Sequence, residues 1–165
     1  MTSVLSGDGD HARERRRTQR ALRESLRELS IQLSLLNRQV SANLRFKDVD
    51  LACLDLVARH GPLSPGVLAK RSGLHPATLT GVLDRLERGG WVARERDPDD
   101  RRAVRLRALP ERGREIYRLY AGMNSAMDEI CASYDDDELR LLADFLARTT
   151  GAGREATDRL AAPDE

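Results

Sequence analysis

Residues Gly61–Leu109 read GPLSPGVLAKRSGLHPATLTGVLDRLERGGWVARERDPDDRRAVRLRAL. Ser64 is a natural N-cap, and Pro65 after it has the φ that a first helical position requires. Leu68 lies on the buried side of a short helix ending near Ser72. Gly73 can take the left-handed conformation beyond that helix, and Leu74 supplies the apolar contact such an end carries. Pro76 restarts a helix. Leu79, Val82, Leu83 and Leu86 recur on it at i, i+3, i+4, i+7, so one face is core. The other face carries Ala77, Thr78, Thr80, Gly81, Asp84, Arg85 and Arg88, small or polar near the start and charged later. Gly89-Gly90 ends it.

Two strands follow, Trp91 to Arg96 and Ala103 to Ala108, joined by Asp97-Pro98-Asp99-Asp100, a turn with proline at its second position. In the second strand Val104, Leu106 and Ala108 point one way, and Ala103, Arg105 and Arg107 the other. Arg94, Arg96, Arg101, Arg102, Arg105 and Arg107 crowd this hairpin. Such charge runs are commonly just solvated faces. A helix-turn-helix followed at once by an arginine-rich hairpin is more specific, and it describes a winged helix-turn-helix.

At these residues the chain resembles the MarR family of bacterial transcription regulators. The resemblance rests on Leu68-Ala69, Gly73-Leu74, the run Val82-Leu83-Asp84-Arg85-Leu86-Glu87, then Gly90-Trp91-Val92. Above all it rests on the wing Arg96-Asp97-Pro98-Asp99-Asp100-Arg101-Arg102-Ala103-Val104. In layout it covers roughly Leu22 to Leu146, with the specific motifs between Leu68 and Gly113. One departure stands out. The family usually has leucine-threonine, two residues, then glycine where the wing returns to a helix. Here Leu109-Pro110-Glu111-Arg112-Gly113 replaces the threonine cap with proline.

A chain of 165 residues suits one domain, or one domain with extended helices. Its net charge of +1 hides an asymmetry. Residues 61–109 carry ten basic and six acidic side chains, and residues 110–165 carry seven and thirteen. Positive charge therefore gathers at the hairpin, where it suits a polyanion, although basic faces also occur without nucleic acid. Cys53 and Cys131 sit in apolar helical patterns and read as small core residues. The start is polar, and no apolar stretch is long enough to span a bilayer. A cytoplasmic protein without membrane attachment is the expectation. No phosphate-binding glycine loop, metal-spaced cysteine-histidine cluster or nucleophile motif is present, so no enzyme, cofactor or metal is expected.

Residues 1–13 read as a disordered tail. The basic cluster Arg13 to Arg20 is either the solvated start of a helix or an arm trailing along DNA. Leu22, Leu26, Leu29, Leu33, Leu36, Val40 and Leu44 then recur close to the 3.5-residue repeat of helices packed side by side. An amphipathic helix on its own core explains this stripe, and so does a dimer seam. Asp48 caps the next helix, which His60-Gly61-Pro62 ends. Beyond the wing, Gly113 to Tyr134 reads as one long helix with Ile116, Tyr120, Met123, Met127, Ile130 and Tyr134 on one face. Asp135-Asp136-Asp137 opens a last helix with Leu139, Leu142, Ala143 and Leu146 inward. There the carboxylates suit a helix N-terminus better than a cation site.

The expected fold is mainly α with a small β-hairpin wing (α+β), a winged helix-turn-helix with long N- and C-terminal dimerisation helices. Residues 14–46 and 113–148 form the helical dimerisation region and 47–112 the DNA-binding lobe, with tails at 1–13 and 149–165. The resemblance implies dimerisation through the first and last helices, here Leu26, Leu29, Leu33, Leu36, Met123, Met127, Leu142 and Leu146. In such a homodimer each helix from Pro76 enters a major groove of double-stranded DNA, with half-sites roughly 34–36 Å apart. Pro76, Ala77, Thr78, Thr80 and Gly81 face the bases. Ser64, His75 and Arg85 hold the backbone, Arg94 and Arg96 are further DNA-binding residues of the hairpin, Arg101 and Arg102 at the wing tip enter the minor groove, and Asp100 orients a neighbouring arginine. The resemblance also implies a small aromatic anion as effector, for which Asn37, Arg38, Asn43, Arg45 and His60 are candidate lining residues. Exposed helix positions explain those five equally well. The expectation is thus a sequence-specific transcription regulator, a repressor. The alternatives are a winged-helix protein-interaction module and an architectural DNA binder.

Overall fold

A computed structural model describes residues 5–47, 49–97 and 103–161, with side chains from residue 9 onward. In chain order the elements are α1 Leu5–Asn43, α2 Asp50–His60, α3 Pro65–Ser72, α4 Pro76–Arg88, β1 Val92–Arg96, β2 Val104–Ala108, α5 Pro110–Leu119, α6 Ala121–Cys131 and α7 Asp136–Ala161. The chain divides into two compact units, Met1–Leu51 and Ala52–Glu165.

The first unit is dominated by α1, which begins at Leu5, inside the stretch expected to be a tail. At its 39 residues it spans roughly 58 Å. Its leucine stripe is largely uncovered: Leu22, Leu29 and Leu33 are exposed, Leu26 and Leu36 half-buried, and Val40 is buried. The helix closes with Leu44 N–H donating to Val40 O and Phe46 N–H to Ser41 O, around Arg45 at φ 56°. The expected cap Asp48 lies outside the described residues. The buried Asp50 carboxylate accepts the Lys47 N–H at 3.0 Å at the start of α2.

The second unit holds the core. Cys53, Leu54 and Val57 of α2, Leu68 of α3, and Leu79, Val82, Leu83 and Leu86 of α4 are buried with Trp91, Val92 and Leu106. The period of 3.6 read from α4 is therefore its packing face. Strands β1 and β2 pair antiparallel, with Val92 opposite Ala108, Arg94 opposite Leu106 and Arg96 opposite Val104. Leu63 extends this ladder by exchanging both backbone hydrogen bonds with Leu106, at 3.1 and 2.7 Å. The hairpin root is thereby tied to the segment entering α3.

Several expectations change beyond the wing. Helix α5 starts at Pro110, not Gly113, with proline in its first turn and no side-chain cap from Leu109. The single helix expected over 113–134 is two helices. Tyr120, at φ −91° and ψ 0°, leaves helical geometry between α5 and α6, and Gly122 just after it is a weak helix former. Burial raises the Tyr120 pKa above the ordinary 10.0, and the Asp55 carboxylate adds to that while Arg59 opposes it. Finally, the apolar faces of α5–α7 are not core: Met127, Ile130, Tyr134, Leu142 and Leu146 are exposed. Cys131 is half-buried, unlike the fully buried Cys53. Helix α7 opens with a capping box, in which Asp135 Oδ1 accepts from Glu138 N–H at 2.8 Å and Glu138 Oε2 from Asp135 N–H at 3.0 Å. It continues to Ala161, through the expected tail.

Candidate nucleic-acid interface

Helix α4 presents its polar face to solvent. Its first turn is capped by His75, whose Nδ1 accepts the Ala77 N–H at 3.3 Å. The ring nitrogen stands where a serine or aspartate oxygen usually does. An accepting Nδ1 carries no proton, so the ring's N–H is Nε2, left to donate outward. Pro76, Ala77, Thr78 and Thr80 are exposed and Gly81 half-buried. The Thr80 hydroxyl donates to Pro76 O at 3.0 Å, so its single proton is used inside the helix. Toward a base, Thr80 offers only an acceptor lone pair and its methyl group. A methyl placed on Gly81 would lie 3.5 Å from Arg85 Nη1, which puts the Arg85 guanidinium back along this same face.

Helix α3 starts beside it in sequence. Ser64 sits in extended conformation at φ −72° and ψ 152°, and its Oγ accepts the Val67 N–H at 3.3 Å. That leaves the hydroxyl proton free to donate. Gly73, at φ 67°, ends α3 in the left-handed region as its position in the turn requires.

Three of the four described arginines of the hairpin are engaged with carboxylates. Arg94, read from sequence as a DNA-binding residue, reaches Asp84 at 3.3 Å and Glu87 at 3.2 Å, binding β1 to the second half of α4. Arg107 pairs with Glu95 at 2.7 Å across the strands, and Arg105 pairs with Asp97. The hairpin is therefore less positive than its arginine count suggests, and much of its guanidinium content fixes its own shape. Arg96 is exposed at the far end of β1. Asp100, Arg101 and Arg102 lie outside the described residues.

Of the expected dimerisation side chains, Leu29, Leu33, Met127, Leu142 and Leu146 are exposed, and Leu26, Leu36 and Met123 half-buried. Of the expected effector residues, Asn37 and Arg38 are exposed on α1, Asn43 ends it with its side-chain amide donating to Gln39 O at 2.8 Å, and Arg45 is exposed in the turn that follows. His60 is exposed at the end of α2. Sequence reasoning missed His75 as a cap, because histidine is not among the usual capping residues; Pro76 at the next position was the available signal.

Two short helices joined by a left-handed glycine, the second presenting a small-residue face and braced by an antiparallel hairpin, define a winged helix-turn-helix. The MarR family pattern matches residues 47–104. The Bacillus subtilis protein YcgE, described as an uncharacterized HTH-type transcriptional regulator, is 31% identical over 134 residues, 81% of this chain and 87% of that one. A MarR family protein from Bacillus stearothermophilus superposes with a TM-score of 0.63 at 26% identity, over 84% of this chain and 97% of its own. Streptococcus pneumoniae FabT, solved in complex with DNA, matches at 26% identity and a TM-score of 0.55, over 82% of this chain and 99% of its own. The chain belongs to the MarR family: it is a helix-turn-helix transcriptional regulator and not an enzyme.

Proposed function

We propose that this regulator binds double-stranded DNA as a homodimer on a near-palindromic operator and represses the genes behind it. The observation that carries the reading is the solvent-facing surface of α4 from His75 to Gly81. Its side chains are small or hydroxyl-bearing, so the helix backbone approaches base edges closely, and Thr78 and Thr80 supply hydrogen-bonding groups and methyls there. The His75 Nε2–H and the Ser64 hydroxyl flank that surface as neutral donors for phosphates, and Arg85 adds charge. Arg96, Arg101 and Arg102 complete the contact from the wing, with Asp100 orienting a neighbour. The bracing of Arg94 by Asp84 and Glu87 gives it the role of fixing the wing's angle. The DNA complex of FabT supports a duplex as the ligand.

Dimerisation is supported by the apolar side chains that α1 and α5–α7 leave uncovered. Leu29, Leu33, Met127, Leu142 and Leu146 are large apolar side chains left exposed on these helices, the kind of surface that marks an interaction site where it is contiguous. A two-footed dimer over a promoter blocks polymerase by occupancy, hence repression. Release by a small aromatic anion completes the reading, and Asn37, Arg38, Asn43 and Arg45 carry exposed polar groups suited to one. No helix among the described residues is long and apolar enough to cross a membrane, and we place the protein in the cytoplasm.

Selection of bound duplexes from a random pool tests this, with the protein's own upstream region as a control. The expected product is a two-fold symmetric motif with half-sites about one helical turn apart. Uniform recovery of all duplexes would favour an architectural binder, and no recovery would favour the interaction module.

A further inference from the structure

Arg112 stands at the departure from the family pattern, in the first turn of α5. Its guanidinium makes three contacts. Nη1 donates to Gly89 O at 2.7 Å, satisfying a carbonyl at the C-terminal end of α4. Nε and Nη2 donate to Glu115 Oε2 at 3.2 and 2.7 Å. The guanidinium carbon lies 3.9 Å from the centroid of the Trp91 ring. Trp91 is 4% exposed, its backbone N–H donates to Leu86 O at 2.9 Å, and its backbone carbonyl accepts from Leu109 N–H at 2.8 Å. One arginine thus joins the end of α4, the root of β1 and the start of α5.

The glycines beside it are shaped for this arrangement. A Cβ on Gly89 would lie 2.6 Å from Trp91 Cδ1, and Gly90 takes φ +69°. Only glycine at 89 lets the indole lie against the helix end, where Arg112 covers it.

We propose that Arg112 is a positioning residue for DNA recognition, clamping the end of α4 and the wing root to α5 so that the reading head turns together with the helices that follow it. This rests on the DNA-binding reading above. In a dimer held through the apolar faces of those helices, the angle between α4 and α5 sets the separation of the two reading heads. An arginine suits this role because its planar fork stacks on the indole while donating in two directions, which a lysine ammonium does not do at once. Loss of the clamp therefore loosens the separation of half-sites that is accepted, without changing the bases read within each half-site.

The test uses the full chain and duplexes carrying the selected half-sites at their selected separation, and at separations one or two base pairs longer or shorter. Trp91 is the single tryptophan, so its fluorescence reports the contact directly. Arg112→Ala is expected to shift the Trp91 emission, keep the half-site base preference, and lose about tenfold of the discrimination between separations, the scale of one charge-assisted hydrogen bond. Arg112→Lys is expected to restore part of the discrimination and none of the emission. Shifted emission with parental discrimination in both variants overturns the proposal and leaves the contact as packing alone. Should Arg112→Ala prove unfolded by circular dichroism, Arg112→Gln takes its place with the same two outcomes. A parent chain that selects no duplex overturns the DNA reading itself and this proposal with it. A parent that binds while the variants discriminate as it does overturns this proposal only.

Discussion

His75 Nδ1 accepts the Ala77 N–H at 3.3 Å, so the imidazole that precedes α4 is also its cap. Asparagine is a strong capping residue and alanine a poor one. His75→Ala is expected to cost about 0.5–2 kcal/mol of stability, and His75→Asn a small fraction of that. Urea denaturation of the two variants measures the difference. Equal losses in both would show that the ring nitrogen does not cap the helix.

A second expectation concerns assembly. Leu33 is exposed and Leu36 half-buried on α1, so replacing both with glutamate leaves the buried core of the second unit untouched. Light scattering is expected to report monomers, and circular dichroism the parental helix content. Operator affinity is expected to fall by about 10²–10⁴, the avidity lost when two linked contacts become one. A dimer that survives both glutamates would place the seam elsewhere.

The α4 stripe, the Ser64 cap and the left-handed Gly73 were legible in the sequence because each is a local rule: a period, a side-chain oxygen, a missing Cβ. The break at Tyr120 was not, because Ile116, Tyr120, Met123 and Met127 keep helical spacing across it and the backbone departure involves a single residue. Periodicity also does not say which molecule covers a stripe. Leu142 and Leu146 were read as inward, yet they lie open on the single chain. Arg94 and Arg112 look alike in a charge count. Beyond Glu115, which lies one helical turn from Arg112, their partners Asp84, Glu87 and Gly89 are distant in sequence or carry no charge, so only the fold separates a bracing arginine from a DNA-facing one.

Tyr120 makes a pH expectation. Burial, then the Asp55 carboxylate, raises its pKa above 10.0 in the folded chain. Its contribution to stability is present below pH 10 and lost as pH rises through the folded value. Tyr120→Phe is expected to flatten that alkaline loss in denaturation curves between pH 8 and pH 11. A variant with the parent's full decline would assign the loss to other groups.

The wing gives a fourth expectation. Three carboxylates accompany Arg101 and Arg102 in the sequence from Asp97 to Arg102, so bulk charge there does not favour DNA and any contribution depends on placement. Arg102→Ala is expected to lose affinity and to relax preference for A·T pairs outside the helix-read bases, where a narrow minor groove attracts guanidinium. Arg102→Lys is expected to recover only part, since ammonium is more strongly hydrated. Binding by Arg101→Ala and Arg102→Ala equal to the parent's, with the same flanking preference, would remove the wing from the contact.

The central claim is that the exposed face of α4 reads bases, and its most direct measurement is the motif selected by Thr78→Ala and Thr80→Ala beside the parent. Thr80 has its proton committed to Pro76 O, so its contribution is an acceptor and a methyl. The account predicts that each substitution changes preference at a defined half-site position by about 1–3 kcal/mol, while the symmetry and spacing of the motif persist. Motifs identical to the parent's in both variants would contradict it.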